Sequence, residues 1–201
     1  MEPVVVFDLS EVLICGLVGV EVSLAPVLGL TAGETLALFA GDHLQRYCRG
    51  EIREDDYLAE IIRQAPSLSV NDLKDAIRRN FHVSVPGIRE LAAELATRYR
   101  VVLLSDHGRE WVEYILEIHP WLGTWPERFF SFERGVTKRE VKAFTSLADA
   151  LGVETAQCLL IDDSEWNVQV ARQAGWGAIR FEGEQQLAGE LQRQGLLLQD
   201  V

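Results

Sequence analysis

Short runs of consecutive apolar residues recur along this chain, and the stretches between them carry apolar residues at helical spacing. Such runs are typical of strands buried on both faces of a parallel sheet with helices on either side. The pattern therefore predicts an α/β fold with a doubly wound parallel sheet. The predicted strands are residues 4–7, 101–104, 129–132, 158–161 and 178–181, and the predicted helices between them begin at Pro86, Arg109, Lys138, after Ser164 and near Glu184.

The segment between the first two predicted strands contains helical patterns and no strand-like run. Thr31 followed by Glu34 is a candidate capping box, and Tyr57 and Ile61 fall on one helical face. We therefore expect an all-helical bundle at residues 15–83, inserted into a core that comprises residues 1–14 and 84–201.

Composition and charge narrow the range of partners. The 201 residues are 48% apolar, which is enough to form a core, and the formal net charge is −12 at pH 7. That charge opposes binding to the phosphates of nucleic acid, so we expect no nucleic-acid partner. A small phosphorylated ligand stays compatible with it, because local cations and backbone N–H groups can outweigh the global sign.

The cysteines and the N-terminal region bear on location. The three cysteines lack metal-ligand spacing, which favours free thiols in a reducing compartment. The first residues lack the basic segment of a secretory signal, and the apolar stretch 12–30 contains several glycines and Pro26. We expect a cytoplasmic protein without a membrane segment.

Polar residues stand where three of the predicted strands end. Asp8, Ser105 and Asp162 each close an apolar run, and Asp163 follows directly. The carboxyl ends of parallel strands share one edge of the sheet, where ligands bind in open α/β folds. Carboxylates gathered there repel one another unless a cation is bound, and Mg²⁺ is the simplest cation that prefers oxygen ligands.

A lysine supplies positive charge to the same edge. Thr137 and Glu140 have the spacing of a capping box, which predicts Lys138 as the first residue of a helix. A helix N-terminus favours an anion, and a lysine there adds a full charge. An acidic nucleophile, a metal, a hydroxyl and a cation together favour phosphoryl transfer.

Four stretches in this order resemble the motifs of the haloacid dehalogenase superfamily, a large group of mostly Mg²⁺-dependent phosphatases. They read VVVFDLSEVL, VVLLSDHG, GVTKREVKAF and LLIDDSEWNVQVARQAG. The resemblance implies a Rossmann-like core, and the inserted helices fall where one branch of the family carries a helical cap. The form of the first motif resembles the capped sugar-phosphate phosphatases, whose substrates are small phosphorylated metabolites.

The resemblance also implies roles for individual residues. Asp8 would attack phosphorus, Ser105 would hydrogen-bond a phosphoryl oxygen, and Lys138 would neutralise charge. Asp8 and Asp162 would hold Mg²⁺ together with the backbone carbonyl of Ser10. Asp163 would orient a metal-bound water or Lys138.

The chain departs from the family pattern at Ser10, where most of these phosphatases carry an aspartate that acts as general acid and base. Serine cannot perform this step near neutral pH, and loss of a general acid typically costs about 10²–10⁴-fold in rate. Glu11 or Asp163 are candidate replacements. The alternatives are a catalytically silent relative that binds a phosphorylated ligand or a protein, and, less favoured, a 2-haloacid dehalogenase.

The remaining predictions concern the surroundings of the site. Asp106 and His107 are candidate substrate contacts, although a loop histidine facing solvent is the commoner arrangement. Trp166 is expected to pack against the core or the cap. The loop with Trp121 and Trp125 is a candidate homodimer surface.

Overall fold

The computed structural model describes residues 3–197 and contains one five-stranded sheet in which every neighbouring pair is parallel. The strand order is β3-β2-β1-β4-β5. The doubly wound α/β fold predicted from the sequence is confirmed. The strands are β1 (Val4–Phe7), β2 (Arg100–Ser105), β3 (Arg128–Phe130), β4 (Cys158–Asp162) and β5 (Gly177–Arg180).

The register of the sheet explains both the apolar runs and the site at their ends. Phe7 on the central strand β1 pairs with Leu103 on β2 and with Ile161 on β4. Successive residues of each strand enter two separate apolar clusters, one on each face, so nearly every strand position is apolar. One residue beyond Phe7 and Ile161, this register places Asp8 beside Asp162.

Six helices lie between β1 and β2, the first five of them in the insert, and the capping box predicted at Thr31 and Glu34 is present. The first of these helices lies within the glycine-containing apolar stretch, and Pro26 lies inside it. It ends at Gly29, whose φ of 66° suits a residue without a side chain. The helices of the insert are α1 (Glu21–Leu28), α2 (Ala32–Phe39), α3 (Asp42–Cys48), α4 (Glu54–Gln64) and α5 (Val70–Phe81).

Length and apolar content decide whether a helix could cross a membrane. Within residues 3–197, no single helix is long and apolar enough to do so. The pair α1 and α2 meets the requirement by length and composition together, and it is bent by 106°.

Outside the insert, six helices flank the sheet, together with two short 3₁₀ helices at Pro120–Thr124 and Thr155–Gln157. The prediction that Pro86 begins a helix is wrong by two residues, because Gly87 at φ 76° turns the chain before the first helical residue. The helices are α6 (Ile88–Ala96), α7 (Arg109–Ile118), α8 (Ser131–Arg134), α9 (Val141–Leu151), α10 (Glu165–Gln173) and α11 (Glu184–Arg193).

An aromatic cluster joins the inserted helices to the core. Trp111 of α7 packs edge-on against Tyr47, Tyr57 and Phe81, with ring centroids 4.9, 5.6 and 5.6 Å away. These four residues are buried, so the contact removes large aromatic surfaces from water. The insert is therefore packed directly on α7, whose N-terminus lies beside the strand ends.

Two linkers connect the insert to the core, and they are bonded to each other. The backbone N–H of Cys15 donates to Val83 across 2.8 Å. The side chain of Asn80 donates to the carbonyls of Gly16 and Val18 at 3.0 and 2.7 Å. This pairing fixes the point at which the insert leaves the sheet edge.

Candidate active site

Three carboxylates meet at the strand ends. Asp8 follows β1, Asp162 is the last residue of β4, and Asp163 comes next in the chain. One oxygen from each lies within 4.8 Å of the others. Asp8 and Asp162 are buried, and Asp163 is half-buried. The sheet geometry thus brings together the carboxylates that were predicted at this edge.

Lys138 supplies a positive charge between two of them. Its buried Nζ lies 2.6 Å from Oδ1 of Asp8 and 2.6 Å from Oδ2 of Asp162. Burial opposes the charge of Lys138, but the surrounding carboxylates, Asp162 first, outweigh burial and raise its pKa. The ammonium group therefore stays charged and partly balances the carboxylates.

The prediction that Lys138 begins a helix is wrong. Helix α9 begins at Val141, three residues later, with Glu140 at its N-cap. The hydroxyl of Thr137 caps nothing because it lies 3.0 Å from Oε1 of Gln45 on α3 and donates to it. Lys138 instead lies in a turn, where its backbone N–H donates to Oδ2 of Asp106 across 2.9 Å.

The ionised carboxylates are poorly stabilised without a further cation. Burial raises the pKa of Asp8 well above its usual value; Lys138 opposes this, and Asp162 and Asp163 add to it. Burial and the charge of Asp162 likewise raise the pKa of Asp163. One lysine therefore does not neutralise the three carboxylates. The remaining negative charge favours the binding of a further cation.

Hydrogen bonds orient the carboxylate of Asp162. Ser164 N–H donates to Oδ1 across 2.9 Å, and the amide of Asn167 donates to both oxygens at 3.1 and 3.2 Å. Ser164 also caps α10, which holds Asn167 in the first turn of that helix. The sequence analysis missed the role of Asn167; its position one turn into a helix that follows a strand-end aspartate is the available signal.

The prediction of a solvent-facing His107 is also wrong. Its ring is buried, with Nε2 2.9 Å from Oγ of Ser10 and Nδ1 2.5 Å from Oγ of Ser105. Burial, helped by the positive charge of Lys138, lowers the pKa of His107 to about 3, so the imidazole is neutral. Ser10 and Ser105 are therefore joined through one neutral histidine.

Asp106 is half-buried behind Lys138. Burial raises its pKa to about 6, although the charge and the backbone N–H of Lys138 oppose the rise. Its backbone carbonyl accepts a hydrogen bond from Sγ of Cys48 at 3.3 Å. The side chain thus holds the turn that carries Lys138, and its role as a substrate contact stays a prediction.

The side chain of Glu11 is hydrogen-bonded to the first linker. Oε1 of Glu11 accepts hydrogen bonds from the N–H groups of Gly16 and Val18 at 2.9 and 3.0 Å, which holds Glu11 against the first linker. Glu11 adopts a φ of 62°, unusual for a residue with a side chain.

Trp166 does not pack against the core as expected, since 61% of its surface is exposed.

The donor set fits a hard divalent cation. The three carboxylates offer oxygen atoms within one coordination sphere of each other. Among residues 3–197, no hydrogen bond ends at the backbone carbonyl oxygen of Ser10, which leaves that acceptor available as well. Oxygen ligands and excess negative charge are what Mg²⁺ requires.

The family follows from a direct comparison of the sequence. Residues 3–175 match the sequence profile of the haloacid dehalogenase-like hydrolases. The chain belongs to this family. The family predicted from the four motifs is therefore confirmed, and with it the assignment of the chain as a hydrolase.

A curated relative of this haloacid dehalogenase-like hydrolase comes from a plant. The chloroplastic flavin mononucleotide hydrolase 1 of Arabidopsis thaliana is 26% identical over 151 residues, which are 74% of this chain and 60% of that protein. The chain thus spans about 60% of the length of that relative.

Solved structures of the family share the fold. A haloacid dehalogenase family enzyme from Bacteroides thetaiotaomicron, in complex with magnesium and inorganic phosphate, has a TM-score of 0.69 at 18% identity, covering 91% of this chain and 96% of that one. L-2-haloacid dehalogenase from Xanthobacter autotrophicus, with chloropropionic acid covalently bound, has a TM-score of 0.68 at 16% identity, covering 98% and 85%. Phosphate and halogenated ligands thus occur on the same architecture.

Proposed function

We propose that this hydrolase removes phosphate from a small phosphorylated metabolite, with Asp8 as nucleophile and Mg²⁺ as cofactor. The observation that carries the proposal is the placement of Lys138 Nζ 2.6 Å from both Asp8 and Asp162. A buried cation beside a strand-end carboxylate suits an anionic substrate attacked by that carboxylate. The plant relative, which is named for hydrolysis of a phosphate monoester, supports the same reaction class.

Asp8 forms and then loses an aspartyl-phosphate in this proposal. Its carboxylate is held at the edge of the sheet by the Leu9 N–H, which donates to Oδ1 across 2.7 Å. Attack on phosphorus releases the alcohol of the substrate, and water then hydrolyses the phosphorylated aspartate. Splitting one difficult displacement into two easier ones is the advantage of a covalent nucleophile.

Lys138 and Ser105 act on the phosphoryl oxygens. Lys138 is buried and fully charged, so its attraction to a developing negative charge is little screened by water. Ser105 is buried at the end of β2, and its hydroxyl would hydrogen-bond one phosphoryl oxygen. Both groups are held in place before substrate arrives, which lowers the cost of reorganisation.

Asp8, Asp162 and the carbonyl of Ser10 would hold the metal ion, and Asp163 would orient its water ligand or Lys138. Held by these residues, Mg²⁺ would supply positive charge to the transferring phosphoryl group. Asn167 and Ser164 fix the carboxylate of Asp162 for this purpose. Partners of this kind, bonded to the ligands themselves, commonly set metal affinity.

The helical insert at residues 15–83 serves in this proposal as a cap over the strand ends, on a core of residues 1–14 and 84–201. The packing of Tyr47 on Trp111 of α7 and the bond from Asn80 to Gly16 in the first linker support this role. A cap of this kind excludes water and contacts the leaving group of the substrate. The first motif favours sugar phosphates as the substrate class. The plant relative, which is named for a mononucleotide, makes nucleotides a second candidate class.

Hydrolysis of p-nitrophenyl phosphate, with and without a chelator, tests the proposal. We expect turnover that needs Mg²⁺, disappears on chelation and is lost in Asp8→Asn. Activity that survives both changes would overturn the assignment of Asp8 and the metal. A panel of sugar phosphates, nucleotides and phospho-acids then identifies the substrate class.

The same assays separate two rival activities. Phosphate binding measured by calorimetry, with no product above buffer, would show a silent relative in which Ser10 has abolished turnover. Chloride release from a 2-haloacid, with no release of phosphate from any ester, would show a dehalogenase. Either result contradicts the phosphatase proposal.

A further inference from the structure

Ser10, His107 and Ser105 form one continuous chain of hydrogen bonds, called here the Ser–His–Ser chain. Nε2 of His107 lies 2.9 Å from Ser10 Oγ, and Nδ1 lies 2.5 Å from Ser105 Oγ. Ser10 comes from the loop after β1 and Ser105 from the end of β2. The Ser–His–Ser chain therefore crosses the site. It runs from Ser10, where the usual aspartate is missing, to Ser105, which is proposed to contact the phosphoryl group.

Apolar packing holds the imidazole ring in this orientation. Phe81 and Trp111 contact it edge-on, with ring centroids 6.1 and 5.8 Å away. Ser131 Oγ also donates to the backbone carbonyl of His107 at 3.4 Å. With the ring enclosed and both nitrogens bonded to serine hydroxyls, water has little access to the middle of the chain.

The outer end of the chain is the accessible one. Ser10 is half-buried, whereas Ser105 and His107 are buried. Gly16 lies so close to Ser10 that a Cβ at position 16 would be 2.5 Å from the serine oxygen. The first linker thus confines the hydroxyl of Ser10 beside His107 and leaves one side of it open to a ligand.

An imidazole bonded to one hydroxyl through each nitrogen gives such a chain two equivalent directions. One ring nitrogen donates and the other accepts, and the two tautomers exchange these roles. In one tautomer, Ser105 donates to Nδ1 and Nε2 donates to Ser10. In the other, Ser10 donates to Nε2 and Nδ1 donates to Ser105, and every polar atom of the chain keeps a partner in both.

We propose that the Ser–His–Ser chain is a proton relay that does the work of the missing aspartate at position 10. The proposal rests on the phosphatase function proposed above and deepens it by naming how the leaving group is protonated. Ser10 is the group that contacts the leaving oxygen. His107 is a positioning residue that acts through Ser10 and carries no net charge at any stage.

The forward step conserves charge for a substrate in its singly protonated phosphate form. Asp8 forms a bond to phosphorus as the bond from phosphorus to the leaving oxygen breaks. That oxygen takes the proton of Ser10, Ser10 takes the proton from Nε2, Nδ1 takes the proton of Ser105, and Ser105 takes the phosphoryl proton. The products are a neutral alcohol and a doubly charged aspartyl-phosphate.

Hydrolysis of the intermediate resets the chain. Water attacks phosphorus and gives a proton to Ser10, whose own proton moves to Nε2. Nδ1 returns a proton to Ser105, and Ser105 returns one to a phosphoryl oxygen. Asp8 leaves as a carboxylate, phosphate leaves singly charged, and the imidazole is again in its starting tautomer.

The experiment compares two esters, because only a poor leaving group needs a proton. The variants are Ser10→Ala, His107→Gln and the double variant, each assayed with an alkyl phosphate and with p-nitrophenyl phosphate. We expect kcat/KM for the alkyl ester to fall about 10²-fold or more in either single variant. The aryl ester should lose roughly tenfold less, and the double variant should be no slower than the worse single variant, since residues of one unit are not additive.

Ser131→Ala is the matched control. It removes a buried hydroxyl that donates to the carbonyls of Cys48 and His107, at 2.6 and 3.4 Å, and lies outside the relay. A structural disturbance of His107 alone should lower both esters by the same factor. Aryl ester turnover in each variant also reports that the protein has folded.

The possible results distinguish a failure of the relay from a failure of the proposed phosphatase function. If neither ester shows turnover that depends on Asp8, the phosphatase function fails and the relay fails with it. If Asp8-dependent turnover is present but Ser10→Ala and His107→Gln slow both esters equally, or slow neither, the relay alone is wrong. A selective loss on the alkyl ester in both variants supports it.

Discussion

The ammonium of Lys138 lies 2.6 Å from the carboxylate of Asp8, yet the pKa of Asp8 is raised. An ion pair at this distance normally lowers the pKa of the acid. Here burial, together with the charges of Asp162 and Asp163, outweighs the lysine. Asp8 therefore ionises at a cost in folding free energy, as expected of a carboxylate that is proposed to contact a metal ion.

Asp8→Asn should abolish turnover without lowering stability at pH 7 in the absence of metal. A folded-state pKa above the unfolded value means that the contribution of Asp8 to stability is lost as the pH rises from the unfolded pKa through the folded pKa. An amide cannot ionise, so the variant removes that cost. Urea unfolding should give an unfolding free energy equal to the wild-type value or higher.

Magnesium provides the control for that variant. Because a ligand stabilises the state that binds it, Mg²⁺ should raise the unfolding midpoint of the wild type more than that of Asp8→Asn. A loss of stability in Asp8→Asn without metal, or an equal response of both proteins to Mg²⁺, would contradict the placement of Asp8.

The carboxyl of Asp106 should impose a pH dependence on stability. Its pKa is about 6 in the fold, compared with 3.8 for an unperturbed aspartate. At pH values between these two, the folded state therefore binds more protons than the unfolded state. The contribution of Asp106 to stability should therefore be greatest below about pH 4 and fall as the pH rises to about 6, by at most about 3 kcal/mol. Unfolding free energies measured from pH 4 to 7 test for this fall.

Asp106→Asn isolates that contribution. The variant keeps an oxygen that can accept the N–H of Lys138, but it cannot ionise. The difference in unfolding free energy between wild type and variant should change between about pH 4 and 6 and stay constant above about pH 7. A flat difference across the whole range would show that Asp106 does not titrate as described.

The ends of β1 and β4 were predictable because they depend on local patterns, whereas the strand predicted at residues 129–132 ends at Phe130, where α8 begins. The apolar run before Asp8 has the same length in the structure as in the sequence analysis, and β4 ends at Asp162, one residue later than expected. Parallel pairing then brings the two carboxylates side by side with no further information. The pattern of apolar residues and the parallel topology are therefore enough to predict this part of the site.

The surroundings of Lys138 and His107 were not predictable in the same way. Thr137 looked like a helix cap, but its hydroxyl is bonded to Gln45, a residue 92 positions earlier in the chain. His107 was expected to face solvent from its loop, yet Phe81 from the insert and Trp111 from α7 enclose its ring. Both errors have one cause: long-range contacts with the inserted helices override local signals.

The junction between the insert and the core should depend on Glu54. This side chain is only 3% exposed; it accepts the indole N–H of Trp111 at 2.9 Å and pairs with Lys74 and Arg78 at 3.3 Å. Glu54→Ala leaves Trp111 and Arg78 without this acceptor, while Lys74 keeps Asp55, and should cost about 3 kcal/mol. Glu54→Gln keeps an oxygen for Trp111 and should cost less.

Denaturant unfolding followed by tryptophan fluorescence measures this, since Trp111 lies at the junction. Asp55→Ala is the matched control, because Asp55 pairs with the same Lys74 from an exposed position and should cost less than about 1 kcal/mol. Equal losses in Glu54→Ala and Asp55→Ala would show that burial of Glu54 contributes nothing.

The approach of α3 to α7 requires glycine at position 108. A Cβ there would lie 2.1 Å from the ring of Tyr47, which is itself fully buried within the aromatic cluster. Gly108→Ala must therefore displace Tyr47 and should cost about 1–3 kcal/mol or more. Gly33→Ala is the control: it lies on the exposed side of α2 with nothing within 4 Å, so it should stabilise by about 0.5–1 kcal/mol. Thermal unfolding of the two variants should shift in opposite directions, and a harmless Gly108→Ala would mean that α3 does not pack on α7 at the described distance.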